Sequence, residues 1–505
     1  MADNLRTRTV RGVSWSAVSQ AVTQSFAFTI SIVLARLLGP KAYGLIGMVT
    51  VFTGFAALFG GLGLGAAIVQ RKELEPRHLN TAFWVNVIFG SAITLLMAAM
   101  APLVAWFYRE PLLTPLTAVI ALRFVMDGLQ VVQSAILSRE MRFRALAAVN
   151  IGSSVTSGIV GLGMAVGGMG VWSLVAQTLG GSLAQLLILW RLADWRPRWA
   201  FDWLACRELF GFSASFLGFD VVNYWARTLD QLLIGRFVGA GALGIYSRAY
   251  GLMLLPLSQV SRVVGGVMFP AMSAIQEDKP RVKRAYLKAI GIISLVTFPM
   301  MVGLFVVADH FVLALLGTQW SAVIPVLKLF CWVGLIQSVL ATVGWIYTSQ
   351  GRTHLYFTMG VIGASACLVA FLIGVHWGVM GVAWAYSVTT AIFIFPFFTI
   401  PARLIDLSLG EAARSLSATF FCSLAMGSIV WGAGFLLPGG TADWLFLVVQ
   451  IPLGIAAYFA MVVGFRLDTW LEVRRVLLDL CATRLGALGP LLQRWGLLRD
   501  CSFAE

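Results

Sequence analysis

Long apolar runs separated by short polar breaks repeat along the whole chain. Runs of about 20 residues, the length that crosses a bilayer core, predict fourteen helices. They lie at residues 13–38, 44–69, 81–107, 112–137, 145–167, 171–191, 208–236, 242–272, 287–308, 321–349, 355–375, 379–401, 415–437 and 443–465. No strand-like alternation competes with this pattern, so the expected fold is all-α, a polytopic membrane protein. The run at 13–38 is too long and too polar for a signal-peptide core, and no small-residue cleavage site follows it. It is expected to remain as the first span.

Composition agrees. The chain is 59% hydrophobic and 11% charged, far from the roughly 25% charge of soluble domains. The net charge of +14 is a matter of topology. Of the 36 Lys and Arg residues, 27 fall in alternate segments: 1–12, 70–80, 138–144, 191–207, 273–288, 350–354, 402–414 and 466–505. The opposite loops hold little beyond Lys41 and Arg109, with Arg36 and Arg236 at span ends. The positive-inside rule therefore puts the basic segments and both termini in the cytoplasm. Anionic lipids become the expected partners of those loops, and no nucleic acid is called for.

An internal repeat organises the spans. Residues 36–45 read RLLGPKAYGL and residues 236–245 read RFVGAGALGI, so Arg, Gly, Ala and Gly recur at an offset of 200. The breaks at 73–76 and 277–280 correspond, as do Met169-Gly-Val171 and Met380-Gly-Val382. Six spans is an even number, so the halves share an orientation and are related by an axis along the membrane normal. The expected organisation is an N-lobe over 1–195, a C-lobe over 196–402 and two additional helices over 403–466. An amphipathic cytoplasmic tail follows over 467–505, either lying on the membrane surface or docking on the spans.

Charges inside spans carry the functional argument. Arg123, Asp127, Asp220, Arg227, Asp230, Arg248 and Arg262 all sit within apolar runs. Each costs about 2.5–3.5 kcal/mol at mid-bilayer if it faces lipid, so together they must pair, snorkel or line water. At 100° per residue, Asp220, Asn223, Tyr224, Arg227, Asp230 and Gln231 share one face of span 7. Arg123, Asp127, Gln130 and Ser134 form a stripe on span 4; Arg248, Gln259 and Arg262 do so on span 8, and Ser16, Gln20, Gln24 and Ser31 on span 1. A hydrated cavity between two six-helix lobes accounts for them. Mutual neutralisation of Arg227 and Asp230, three residues apart, is an equal alternative.

Catalytic and metal signatures are missing. There is no GxxxxGK[ST] loop for ATP, and no CxxC or Cys/His cluster among six scattered cysteines. No cofactor is expected. The four histidines fall in loops or at span ends, where they read as interface residues.

Residues 34–44, LARLLGPKAYG, closely resemble the loop after the first span of O-antigen and exopolysaccharide repeat-unit flippases. These form the Wzx-type branch of the multidrug/oligosaccharidyl-lipid/polysaccharide (MOP) exporter superfamily. Residues 227–236 (RTLDQLLIGR), 244–250 (GIYSRAY) and 269–272 (FPAM) are similar to that family's second-lobe signature. The resemblance covers about residues 5–465 and leaves out the tail. It implies fourteen helices, two lobes around a cationic cavity, and alternating access. The implied substrate is an undecaprenyl-diphosphate-linked oligosaccharide moved to the periplasmic leaflet of the bacterial inner membrane, with proton coupling as its usual energy source. Polysaccharide polymerase and other assembly proteins are implied partners. On this reading Arg123, Arg227, Arg248, Arg262, Asn223, Tyr224 and Gln231 are substrate-binding candidates, and Asp127, Asp220 and Asp230 are proton-coupling candidates. Competing readings are a drug or metabolite exporter or lipid II flippase of the same superfamily and, with less support, a membrane-embedded polymerase. The short loops give that enzyme little room for a catalytic domain.

Overall fold

The computed structural model describes residues 2–60, 64–71, 74–204, 206, 214–436, 438, 441–467 and 469–474, with 2–18, 214–220 and 222 described by backbone alone. Among the described residues the secondary structure is helical, without strands. The helices are α1 (Ala2–Leu37), α2 (Pro40–Gly60), α3 (Leu64–Gln70), α4 (Pro76–Tyr108), α5 (Leu113–Gly128), α6 (Val131–Arg139), α7 (Phe143–Val166) and α8 (Trp172–Leu192). There follow α9 (Ala214–Phe237), α10 (Ala240–Ala274), α11 (Lys279–Leu315), α12 (Val323–Leu340), α13 (Val343–Ser349), α14 (Thr353–Gly374), α15 (Gly378–Leu404), α16 (Leu409–Gly434) and α17 (Asp443–Gly464).

Among the described residues each predicted span falls on one helix or on a consecutive pair: 44–69 on α2 and α3, 112–137 on α5 and α6, and 321–349 on α12 and α13. Ten stretches among the described residues are long and apolar enough to cross a membrane, or eleven if α5 and α6, bent by 40°, form one span. The difference from fourteen has physical causes. The stretch Thr353–Leu404 passes as one unit yet holds two predicted spans, divided by the 3-10 turn Val375–Trp377. Helices α1 and α9 have the length but carry the polar stripes, which keeps them out of a count made on hydropathy.

The chain divides into two compact units. One comprises residues 1–249, 315–326 and 360–386, the other 250–314, 327–359 and 387–505. In the first, small residues bring backbones together, as in membrane helix pairs generally. A methyl group on Gly90 would lie 2.4 Å from the Phe124 carbonyl oxygen, and one on Gly128 would lie 2.5 Å from that of Asn86. Thr94 Oγ1 donates to Ala121 O across the same α4–α5 seam at 2.8 Å. Basic loops find acids: Arg77 Nη1 lies 3.3 Å from Asp202 Oδ2. His78 is buried in the first turn of α4, its Nδ1 accepting the Glu75 N–H. At this span end the histidine side chain works as a helix cap.

In the second unit Lys283 pairs with Glu411, and Lys279 with Asp406 at 3.6 Å. Ser408 and Glu411 close a reciprocal capping box at the start of α16. The tail's first turns dock: Leu467 is buried in a cluster with Leu295, Cys422 and Val462, against which Trp470 and Val473 pack. Lys288 Nζ holds Glu472 at 2.8 Å. Residues 475–505 lie outside the described residues.

Candidate functional site

Nine of the ten candidate residues belong to the first unit; Arg262, exposed on α10, belongs to the second. On α5, one helical turn separates Arg123 from Asp127, and their Nε and Oδ2 approach to 3.3 Å. Gln130 Nε2 donates to Asp127 Oδ1 at 2.8 Å from the first position after the α5–α6 bend. The pair is half-exposed, with 53% of the Arg123 and 38% of the Asp127 side-chain surface open. Buried amide atoms without a protein partner lie on the adjoining turns: Gln130 Oε1, both polar atoms of Gln133, and Asn86 Oδ1. This end of unit 1 is built from polar groups whose hydrogen-bonding capacity exceeds what the protein supplies.

The stripe on α9 divides. Asn223 and Arg227 are exposed, and Gln231 is half-buried. Asp230 lies about 60° round the helix from Arg227 and is buried. Its Oδ2 accepts the Tyr246 hydroxyl at 2.9 Å, and its Oδ1 accepts the Gln231 N–H at 2.7 Å. Among the described residues no ion pair joins it to Arg227; the partners of its carboxylate are Tyr246 and the Gln231 backbone. Tyr224 donates its hydroxyl to Val51 O at 2.6 Å, binding α9 to α2. The Asp220 side chain lies outside the described residues.

Arg248 is committed to structure. Its Nη1 and Nη2 donate to Ser31 Oγ and Ser31 O at 2.8 and 2.9 Å, and its guanidinium lies 5.3 Å from the Tyr43 ring. Trp320 packs edge-on to Tyr43 and donates to Ala35 O at 2.8 Å, and Gln319 reaches both Ala35 O and Arg36 O. These donors satisfy the carbonyls that the C-terminus of α1 leaves open. Of the three guanidinium nitrogens of Arg248, Nε has no partner.

The repeat closes on itself here. A methyl group on Gly44 would sit 1.6 Å from Ala240 O, and one on Gly244 would sit 2.0 Å from Pro40 O. Gly44 and Gly244 are repeat equivalents at the offset of 200, as are Pro40 and Ala240. Each half makes on the other the contact it receives, the reciprocity of a two-fold axis.

Residues 33–325 match a family described as polysaccharide biosynthesis protein. The chain belongs to that family. All ten candidate residues fall inside the matched segment, and the tail falls outside it. The chain is 27% identical to the lipopolysaccharide biosynthesis protein WzxC of Escherichia coli over 94% of its own length and 97% of that protein's. It is 30% identical to the succinoglycan biosynthesis transport protein ExoT of Rhizobium meliloti, over 65% of this chain and 67% of ExoT. In fold it resembles the lipid II flippase MurJ in an inward closed conformation, with a TM-score of 0.72 at 14% identity, covering 90% of this chain and 99% of MurJ. It also resembles an inward-facing multidrug resistance MATE family transporter of the MOP superfamily, with a TM-score of 0.58 at 15% identity over 76% of this chain and 96% of that one. The resemblance read from the loop signatures is thereby borne out: this family member is a multi-pass membrane protein with the fold of MOP-superfamily transporters.

Sequence reasoning missed Tyr246. It lies within the quoted signature at 244–250, but its partner Asp230 is on the preceding helix, and no spacing rule links residues 16 apart across a turn. It missed the orphaned amides of Asn86 and Gln133 because neither charge nor stripe singled them out.

Proposed function

We propose that the chain flips an undecaprenyl-diphosphate-linked oligosaccharide repeat unit from the cytoplasmic to the periplasmic leaflet of the bacterial inner membrane by alternating access. The observation that carries this reading is the set of exposed charges on transmembrane helix faces, Arg123 with Asp127 on α5 and Arg227 with Asn223 on α9. Such groups are too costly to leave in lipid and are suited to a hydrated passage. The names of WzxC and ExoT, and of the probable low-salt glycan biosynthesis flippase Agl15 of Haloferax volcanii, 21% identical over 365 residues, support a glycan as the cargo. A sugar hydroxyl moved unpaired into hydrocarbon costs about 4–8 kcal/mol, so a glycan needs a polar route while its prenyl tail stays in lipid.

In this mechanism Arg227 and Arg123 are the cations for the diphosphate, with Arg262 a further candidate. Asn223 and Gln231 offer hydrogen bonds to sugar hydroxyls, and Tyr224 holds their helix against α2. Arg248 acts by positioning α1. Proton coupling falls to Asp127, whose carboxylate is half-exposed beside Arg123, and to Asp230 and Asp220. The duplicated halves over 1–195 and 196–402 are the moving parts, and 403–466 supplies the additional helices. The charge asymmetry supports cytoplasmic termini. Deleting the gene tests the function in cells: lipid-linked repeat units should accumulate facing the cytoplasm. Normal surface polysaccharide in a strain with no second exporter would contradict it.

A further inference from the structure

The basic residues that escape the positive-inside pattern are few, and two of them meet. Arg109, just past the end of α4, and Arg236, in the last turn of α9, line one cleft of about 510 Å³ in the first unit, together with Trp106, Thr114, Pro102 and Pro111. Both helices begin beside basic loops, so the cleft lies on the opposite face, the outer one in the proposed topology. Among the described residues no carboxylate lines it. The nearby Glu110 is turned to Lys41, 3.9 Å away.

Three details set this cleft apart from a helix end with a compensating charge, the ordinary role of Arg at a C-terminus. Arg109 adopts φ 59° and ψ 34°, the left-handed cap position that glycine fills by default, so a bulky cation occupies a slot its backbone disfavours. Arg236 is held by the faces of Phe107 and Phe237, at 5.5 and 5.9 Å from the ring centres, which orients the guanidinium. Trp106 is 77% exposed on the wall of the cleft. Two arginines lining one cleft, with no acid among its described lining residues, supply the planar donors that pair bidentately with the oxygens of a phosphate group. An indole beside them offers an apolar face to a sugar or prenyl segment.

We propose that this cleft is a binding site for the phosphate group of a lipid at the outer leaflet, separate from the charged faces of α5 and α9. The site rests on the transporter reading only for which membrane face it occupies. Two lipids carry that chemistry there: a translocated isoprenyl diphosphate and a bulk anionic phospholipid.

Photolabelling of the full-length protein in nanodiscs tests it, using a diazirine-tagged short-chain isoprenyl diphosphate and mapping adducts by mass spectrometry. Wild type should label the segment 102–114, and Arg109→Gly and Arg236→Gln should each reduce that labelling at least tenfold. Glycine suits the left-handed cap, so Arg109→Gly should fold with an unchanged or higher thermal midpoint, which separates lost binding from lost structure. Displacement by phosphatidylglycerol in the disc would assign the site to bulk lipid, and persistence would assign it to the isoprenyl carrier; both carry the phosphate chemistry proposed. No labelling of 102–114, or equal labelling in both variants, overturns the site. The readout is independent of transport, so a wild type that labels here yet fails to flip would count against the flippase function alone.

Discussion

Replacing Gly244 with alanine places a methyl carbon 2.0 Å from the Pro40 carbonyl oxygen, 2.8 Å from its carbon and 3.1 Å from the Gly44 nitrogen. An ordinary carbon–oxygen contact needs about 3.3 Å, so the first turns of α2 and α10 must separate by over ~1 Å. Every atom met is backbone, so no rotamer change relieves the clash. Overpacking costs about 1–3 kcal/mol and sometimes more, and this case belongs at the upper end. Gly44→Ala, whose methyl would meet Ala240 O at 1.6 Å, should cost at least as much. A loss of about 3 kcal/mol is more than a hundredfold in the folded-to-unfolded ratio. The two effects should not add. Once one methyl has parted the helices, the second finds room, giving a coupling of roughly 1–3 kcal/mol as for residues sharing a packing defect. Thermal unfolding in detergent of wild type, both single variants and the double variant measures this. An unchanged midpoint in either single variant, or fully additive losses, would refute the reciprocal crossing.

Three further outcomes follow from the hydrogen bonding and the packing. Tyr246→Phe removes a donor from buried Asp230 and should cost about 1–3 kcal/mol; Asp230→Leu combined with Tyr246→Phe should recover part of it, and a denaturation series on the three variants checks the cycle. Arg248→Ala should destabilise by about 1.5–3 kcal/mol, the range for hydrogen bonds to a charged group, and Ser31→Ala should show coupling to it because both touch the same bonds. Trp470→Ala should lower stability by about 1–3 kcal/mol through loss of packing on the Leu295–Val462 cluster, and thermal unfolding in detergent checks it.

The helices were legible because hydrocarbon thickness imposes a run length that composition alone reveals. The α5–α6 bend was not. It falls at Gly128, Leu129 and Gln130 inside one predicted span with no proline there to mark it, where Gly128 passes close to Asn86 on another helix. Charged stripes marked the right helices but not the use of each side chain. Helical phase put Asp230 at the edge of the α9 arc; what turned it inward was Tyr246. Arg248 looked like a free cation for a substrate, and only three-dimensional proximity brings it to Ser31 and Tyr43. The offset of 200 was visible as a repeat. That Gly44 and Gly244 are the contact itself required the backbone positions.

The central claim is that exposed charge on α9 carries a lipid-linked glycan across the bilayer. Reconstitution in liposomes with a defined undecaprenyl-diphosphate oligosaccharide, with and without a pH gradient, tests it most directly. Wild type should move the glycan to the opposite leaflet, faster with the gradient. Arg227→Gln should slow that movement at least tenfold at an unchanged thermal midpoint. No translocation by wild type, or equal rates in the two proteins, would contradict the account.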